Sequence, residues 1–205
     1  MPKQNYQKIM EETMAQVPKG TGLLLHSCCG PCSTAVLEQL ANHFKVTLLY
    51  YNPNIWPARE YQRRRDEQLE VLQNLPVQYP VTFEELPYNP DEFLQVAKGL
   101  QRAPEGGARC AECFKLRLGQ GALFAKQRGL PWFTTTLTVS PHKNAPLLNQ
   151  IGQAAAQKAG VNFLPADFKK KDGYKRSLEL SAEYGLYRQE YCGCEYSYTA
   201  RNLPQ

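Results

Sequence analysis

An apolar run, Gly22-Leu-Leu-Leu-His26, passes without a spacer into Ser27-Cys28-Cys29-Gly30-Pro31-Cys32. A short unbroken apolar run preceded by glycine reads as a central strand buried on both faces, the habit of parallel sheets. Pro31 sits where a helix can begin, and Val36, Leu37, Leu40 and Phe44 continue an apolar stripe beyond it. The first three cysteines therefore occupy a strand-to-helix turn.

The rest of the chain repeats this alternation. Lys45-Val-Thr-Leu-Leu-Tyr-Tyr51 reads as a second strand, with Asn52-Pro-Asn-Ile-Trp-Pro57 as the loop at its end. A charged helix is expected over 60–72, a third strand over 77–81, and a helix over 91–100 started by Asn89-Pro90. Gly106-Gly107 marks a loop leading to Cys110 and Cys113, and a helix over 112–128 ends at Gly129. Trp132-Phe-Thr-Thr-Thr136 is a strand by its aromatic and β-branched content, followed by the loop Ser140-Pro-His-Lys-Asn144. A helix over 145–159 ends at Gly160, residues 161–164 form a last short strand, and 177–183 a last helix. An amphipathic helix over 4–16 precedes the series.

Strands alternating with helices imply one α/β domain over 21–205, a mostly parallel sheet flanked by helices, with residues 1–20 as a helical extension. Loops at the carboxyl ends of such strands form the binding crevice, so 28–32, 52–56 and 137–144 are expected to share one pocket. The chain's 205 residues, 42% of them hydrophobic, are enough for a sizeable core without disulfides or a structural metal. Its formal net charge of +5 permits contact with phosphate without demanding it. No signal-peptide pattern opens the sequence and no apolar stretch matches a membrane span, so a cytoplasmic protein with no membrane partner is expected.

The seven cysteines fall into three groups: Cys28, Cys29 and Cys32; Cys110 and Cys113; Cys192 and Cys194. In a reducing compartment, grouped cysteines point to metal or redox chemistry more than to crosslinks. Three readings are open for the first two groups. Cys29-Gly-Pro-Cys32 has the sequence of a thioredoxin-type dithiol at a helix start, where the dipole favours a thiolate. Cys29-x-x-Cys32 with Cys110-x-x-Cys113 supplies the paired spacing of a structural zinc site, though the pairs lie far apart in the chain and Cys28 is surplus to it. A cubane iron–sulfur cluster needs four thiolates, which Cys28, Cys29, Cys110 and Cys113 could supply from two loops, leaving Cys32 nearby. Cys192-Gly-Cys194 would close a small, strained and easily reduced disulfide, able to pass electrons by exchange; further ligands or plain buried thiols are the alternative.

Other polar residues carry weaker signals. His26 ends a buried strand, where a satisfied core histidine is the commoner outcome. His142 and Lys143 are candidates for phosphate or ribose, and Tyr51, Asn52 and Asn54 for contact with a base. The runs Arg63-Arg-Arg65 and Lys169-Lys-Lys171 are candidates for an RNA backbone, although charge runs are usually solvated faces.

Six ordered blocks carry a resemblance: His26-Ser-Cys-Cys-Gly-Pro-Cys32, Tyr51-Asn-Pro-Asn-Ile55, Arg109-Cys-Ala-Glu-Cys-Phe114, Thr135-Thr-Leu-Thr-Val-Ser-Pro-His-Lys-Asn144, Asp167-Phe-Lys-Lys-Lys-Asp-Gly-Tyr174 and Tyr187-Arg-Gln-Glu-Tyr-Cys-Gly-Cys194. Together, over roughly residues 20–200, they resemble the QueH-type epoxyqueuosine reductases. The resemblance implies an adenine-nucleotide-alpha-hydrolase-like (HUP-type) fold. It implies two-electron reductive deoxygenation of epoxyqueuosine to queuosine at the wobble position of the tRNA anticodon, the last step of queuosine biosynthesis. It also implies a [4Fe-4S] cluster held by Cys28, Cys29, Cys110 and Cys113, no cobalamin, and a redox-active disulfide of Cys192 and Cys194. Cys32 falls where a ligand to an additional iron would sit. The implied partners are tRNA carrying epoxyqueuosine and an unidentified electron donor. A thioredoxin-like dithiol oxidoreductase using Cys29 and Cys32, and a zinc-binding RNA-binding module, stand as the competing functions.

Overall fold

Strand β1 (Gly22–Ser27) lies at the centre of the sheet, where its unbroken apolar sequence requires it to be. In the computed structural model, which describes residues 4–202, β1 pairs in parallel with β2 (Lys45–Tyr50) and with β4 (Trp132–Thr135). Beyond them β3 (Thr82–Glu85) pairs with β2 and β5 (Asn162–Phe163) with β4, giving the all-parallel order β3-β2-β1-β4-β5. Side chains alternate across β1: Leu23 and Leu25 enter one core cluster with Val36, Leu37 and Leu40, whereas Leu24 enters another with Leu118, Phe133 and Leu148.

Helix α2 (Gly30–Leu40) covers the first face, with α3 (Ala58–Asn74) and α7 (Gly173–Glu183) packed beside it. Helices α5 (Ala108–Gln127) and α6 (Ala145–Ala159) pack together on the second. A Cβ at Gly30 would lie 2.7 Å from the Glu67 carbonyl oxygen, so the approach of α2 to α3 depends on glycine there. Helix α1 (Tyr6–Gln16) buries Met10 in the first cluster, and α4 (Pro90–Ala97) and α8 (Glu195–Asn202) complete the chain. Sequence signals for α6 act as read: Asn144 accepts from the Leu147 amide and Gly160 ends the helix at φ 72°. Among the described residues no helix is long and apolar enough to cross a membrane.

The third strand occupies 82–85 and not 77–81. Pro80 lacks the N–H that pairing would use, so the ladder begins past it. Helix α5 starts at Ala108, four residues before the expected 112, so that Cys110 as well as Cys113 lies on the helix. Its buried Arg109 donates to the carbonyls of Leu100, Gln101 and Ala103, drawing that turn onto the helix start. Helix α7 begins at Gly173, also earlier than expected, and α8 was not anticipated.

The chain winds outward from β1 to β2 and β3, then returns to add β4 on the other side of β1. Such a reversal leaves a crevice beyond the carboxyl ends of the two strands that flank it. Those ends carry Cys28 and Thr136.

Candidate active site

The turn after β1 stacks three sulfurs at this crevice. Cys29 is the N-cap of α2 with extended backbone, and Cys32 follows in its first turn. Among the described residues Cys28, Cys29 and Cys32 form a group whose sulfurs all lie within 4.8 Å of one another. Cys28 Sγ is 3.7 Å from Cys29 Sγ and 3.7 Å from Thr136 Oγ1, so it sits across the mouth between β1 and β4. Cys29 Sγ is 2.6 Å from Cys32 Sγ, and Gln189 Nε2 donates to Cys29 Sγ at 3.1 Å. All seven cysteines are free thiols.

The other two groups converge from α5 and the C-terminal segment. Cys113 and Cys194 are buried in one small cluster with Phe93 and Ala97, while Cys110 accepts from the Gly106 amide at 3.2 Å and packs against the core cluster that contains Cys28 and Cys29. Cys192 opens onto a cavity of about 220 Å³ whose lining includes Cys28, Cys32, Arg117, Lys143 and Gln189. The structure thus joins the first and third groups at one cavity; Cys110 and Cys113 lie behind it and are not part of the three-sulfur group.

Arg117 links the groups. It is buried, donates to Asn52 Oδ1 at 2.5 Å, and lines the cavity. Burial opposes its charge, but the sulfurs of Cys113, Cys28 and Cys192 outweigh that and hold its pKa above the ordinary arginine value. Lys143 is likewise raised against its burial by Cys192, Cys28 and Cys32. Within the three-sulfur group, hydrogen bonds from Cys29 and Cys32, with Lys143 and Arg117 nearby, hold Cys28 well below the usual thiol range. Burial pushes Cys29 up to about 12, and burial does the same to Cys113. A cysteine pocket that favours negative charge at Cys28 and is faced by two cations suits an anionic metal–thiolate group.

Several candidates have structural roles instead. His26 is fully buried: its Nε2 donates to the Tyr51 carbonyl at 3.1 Å and its Nδ1 accepts from Thr135 Oγ1 at 3.0 Å. Burial and Arg117 lower its pKa to about 3, so it is a neutral tie between β1, β4 and the loop after β2. Tyr51, Asn52 and Asn54 are buried and present no surface to a base. Tyr51 donates to Glu92, and Asn52 donates to the Ser27 carbonyl at 2.9 Å, bracing the cysteine turn. Of the three loops expected to share the pocket, 52–56 stands behind it and does not line it.

The arginine run also divides. Arg64 is buried against Glu60 at 2.7 Å and donates to the carbonyls of Cys192 and Tyr191, so it fastens the C-terminal segment and is closed to RNA. Arg63 stacks on the Tyr187 ring and Arg65 pairs with Asp66. In the lysine run, Lys169 and Lys171 are paired with Asp167 and Glu11, and Lys170 is exposed. His142 is exposed on the cavity rim.

Arg117 and Gln189 were missed from sequence, and Arg64 was read there as an RNA contact. Two of the three left a signal. Cys110, Cys113 and Arg117 follow one another at helical spacing on one face, and Tyr61, Arg64, Gln68 and Val71 form the buried stripe of α3. Gln189 left none.

A family model described as epoxyqueuosine reductase QueH matches residues 23–200. Relatives named epoxyqueuosine reductase QueH include one from Staphylococcus epidermidis, 40% identical over 200 residues, covering 94% of this chain and 84% of the relative. One from Streptococcus pyogenes serotype M1 is 40% identical over 94% of this chain and 78% of its own length. A third, from Thermotoga maritima, is 35% identical over 87% and 91%. With the matched region spanning every strand of the sheet and all three cysteine groups, the chain belongs to the epoxyqueuosine reductase QueH family.

Proposed function

We propose that this protein reduces epoxyqueuosine in the tRNA anticodon to queuosine, removing the epoxide oxygen as water and leaving an alkene. The observation that carries this reading is the cavity on which Cys28, Cys32 and Cys192 open together, faced by Arg117 and Lys143. The site supplies thiols and cations to one cavity, which is what a reductive deoxygenation needs.

The residues present fit a metal–sulfur group: three free thiols converge in a buried, cationic setting at the crevice. In this reading Cys28, Cys29, Cys110 and Cys113 would hold a [4Fe-4S] cluster, Cys32 would be a ligand to an additional iron, and no cobalamin would be used. Such a group would supply electrons singly and, at an open iron, a Lewis acid for the departing oxygen. The chain's own residues do the rest. Arg117, fixed by Asn52, and Lys143 line the cavity and stand where negative charge develops at that oxygen. Cys192 and Cys194 deliver two electrons and two protons as they become a disulfide, balancing epoxide to alkene plus water. An external donor then reduces them again. The strand order is that of a HUP-type α/β fold in this reading, residues 21–205 form the catalytic domain behind the 1–20 extension, and the enzyme works in the cytoplasm, where its tRNA is found.

The Cys29 to Cys32 contact of 2.6 Å favours a second reading, a thioredoxin-like dithiol oxidoreductase. Against it, burial and neighbouring sulfurs raise both thiols, the reverse of an activated nucleophile.

Protein purified without oxygen is to be analysed for iron, sulfide and zinc and assayed on tRNA carrying epoxyqueuosine. About four irons and four sulfides per chain, with an excess of iron, and turnover that Cys192→Ser abolishes are expected. Colourless zinc protein without turnover would replace the reductase with a zinc-bound RNA-binding module. Metal-free protein that reduces insulin disulfides would establish the dithiol reading.

A further inference from the structure

The loop after β2, whose buried residues brace the cysteine turn, turns one aromatic side chain outward. Trp56 is 41% exposed, the most exposed large aromatic side chain among the described residues. Single exposed apolar residues are ordinary on protein surfaces, but this one is fixed in place. Its amide donates to the Gly193 carbonyl at 2.8 Å and its carbonyl accepts from Tyr191 Oη at 2.6 Å. Its ring centroid lies 5.4 Å from that of Tyr198, which in turn lies 5.2 Å from Tyr191. Tyr191 lines the cavity together with Cys28, Cys32 and Cys192, so the aromatic row runs from the surface to the cavity mouth. Exposed cations border it: Arg59 follows Trp56 by three residues, and Arg201 lines the mouth itself.

A rigid aromatic row leading into a polar cavity, with cations at its border, is the chemistry that receives an unpaired nucleotide: the ring takes the base and the cations take the phosphate. We propose that Trp56, backed by Tyr198 and Tyr191, is a stacking platform for one unpaired base of the RNA loop while its neighbour enters the cysteine cavity. The proposal rests on the tRNA reading above and assigns where the RNA lies. Trp56 acts on binding; it does not touch the reacting atoms. Removal of the ring therefore raises KM and leaves kcat near its original value.

The test uses anaerobically prepared protein and a synthetic anticodon stem-loop RNA, with affinity measured for wild type, Trp56→Ala and Trp56→Tyr. Loss of one stacked base predicts about 5- to 150-fold weaker binding for Trp56→Ala, with most of it regained in Trp56→Tyr. A series of stem-loops, each abasic at one unpaired position, separates stacking from a loosened loop: at one position the abasic change and Trp56→Ala are strongly non-additive. Wild-type affinity in Trp56→Ala, or additivity at every loop position, overturns the platform while leaving the reductase reading standing. Failure of the wild-type protein to bind the stem-loop overturns both.

Discussion

The two cysteine groups that share the cavity are held by different means. Residues 28–32 hang between the central strand, in register with β2 up to Ser27 and Tyr50, and the first turn of α2. Gln68 of α3 ties that turn further, accepting from Ser27 Oγ and donating to Ser33 Oγ. Residues 191–194 belong to no strand or helix. They are fastened by Arg64, by the Trp56 backbone and by the Tyr191 hydroxyl. A position shared among many cooperative backbone bonds opens only with the domain, whereas one tied by a few side chains opens locally at less cost. The first arrangement suits a bound group that must not shift, and the second suits a thiol pair that changes its bonding in each cycle.

Four substitutions test this contrast. The largest effect belongs to the fixed group: Cys29→Ser is expected to abolish turnover and strip the protein of bound iron, as read by metal analysis and visible absorption. Retention of a full iron complement would remove Cys29 from the ligand set. Next, Arg64→Met leaves Glu60 buried without its cation, a change costing about 3 kcal/mol. Urea unfolding measures that loss, and faster alkylation of Cys192 and Cys194 with unchanged metal content shows that only the fastened segment loosens. Loss of metal together with that segment would show the two regions to be one unit.

Arg117→Met leaves Asn52 Oδ1 without its charged donor and is expected to cost about 2 kcal/mol. It acts on both groups at once, so iron retention should fall and Cys192 alkylation rise in the same variant; a change in only one would break the claim that Arg117 links them. The smallest effect is at Gly193, whose φ of 127° disfavours a side chain and whose Cβ would come 3.0 Å from Arg64 Nη1. Gly193→Ala should cost about 1–2 kcal/mol, visible as a lower thermal midpoint with the iron spectrum intact. An equally stable variant would mean that the segment already yields.

Much of the fixed region was legible in sequence because its signals are local. The run before Cys28 dictated a buried strand, Pro31 a helix start, and Asn144 with Gly160 the bounds of α6. Where the sequence misled, a competing local signal was often present. Pro80 argued against a strand over 77–81, and the spacing of Cys110, Cys113 and Arg117 already described a helix. The fastened region was less legible. Arg64 sits in a run of three arginines that composition reads as solvated, and its burial depends on a C-terminal segment more than 120 residues away.

By itself the sequence determined the alternation of strands and helices, the turn that carries Cys28, Cys29 and Cys32, and the grouping of seven cysteines. Those follow from backbone periodicity, capping and chain connectivity, which act over a few residues. Only the tertiary structure decided that Asn52 and Tyr51 brace the site from behind, that Trp56 faces outward, and that Arg117 reaches sulfurs from all three groups. The physical reason is that burial of a polar side chain is settled by what crosses over it. Here that is the return of the chain from β3 to β4 and the closure of the C-terminal segment over α3.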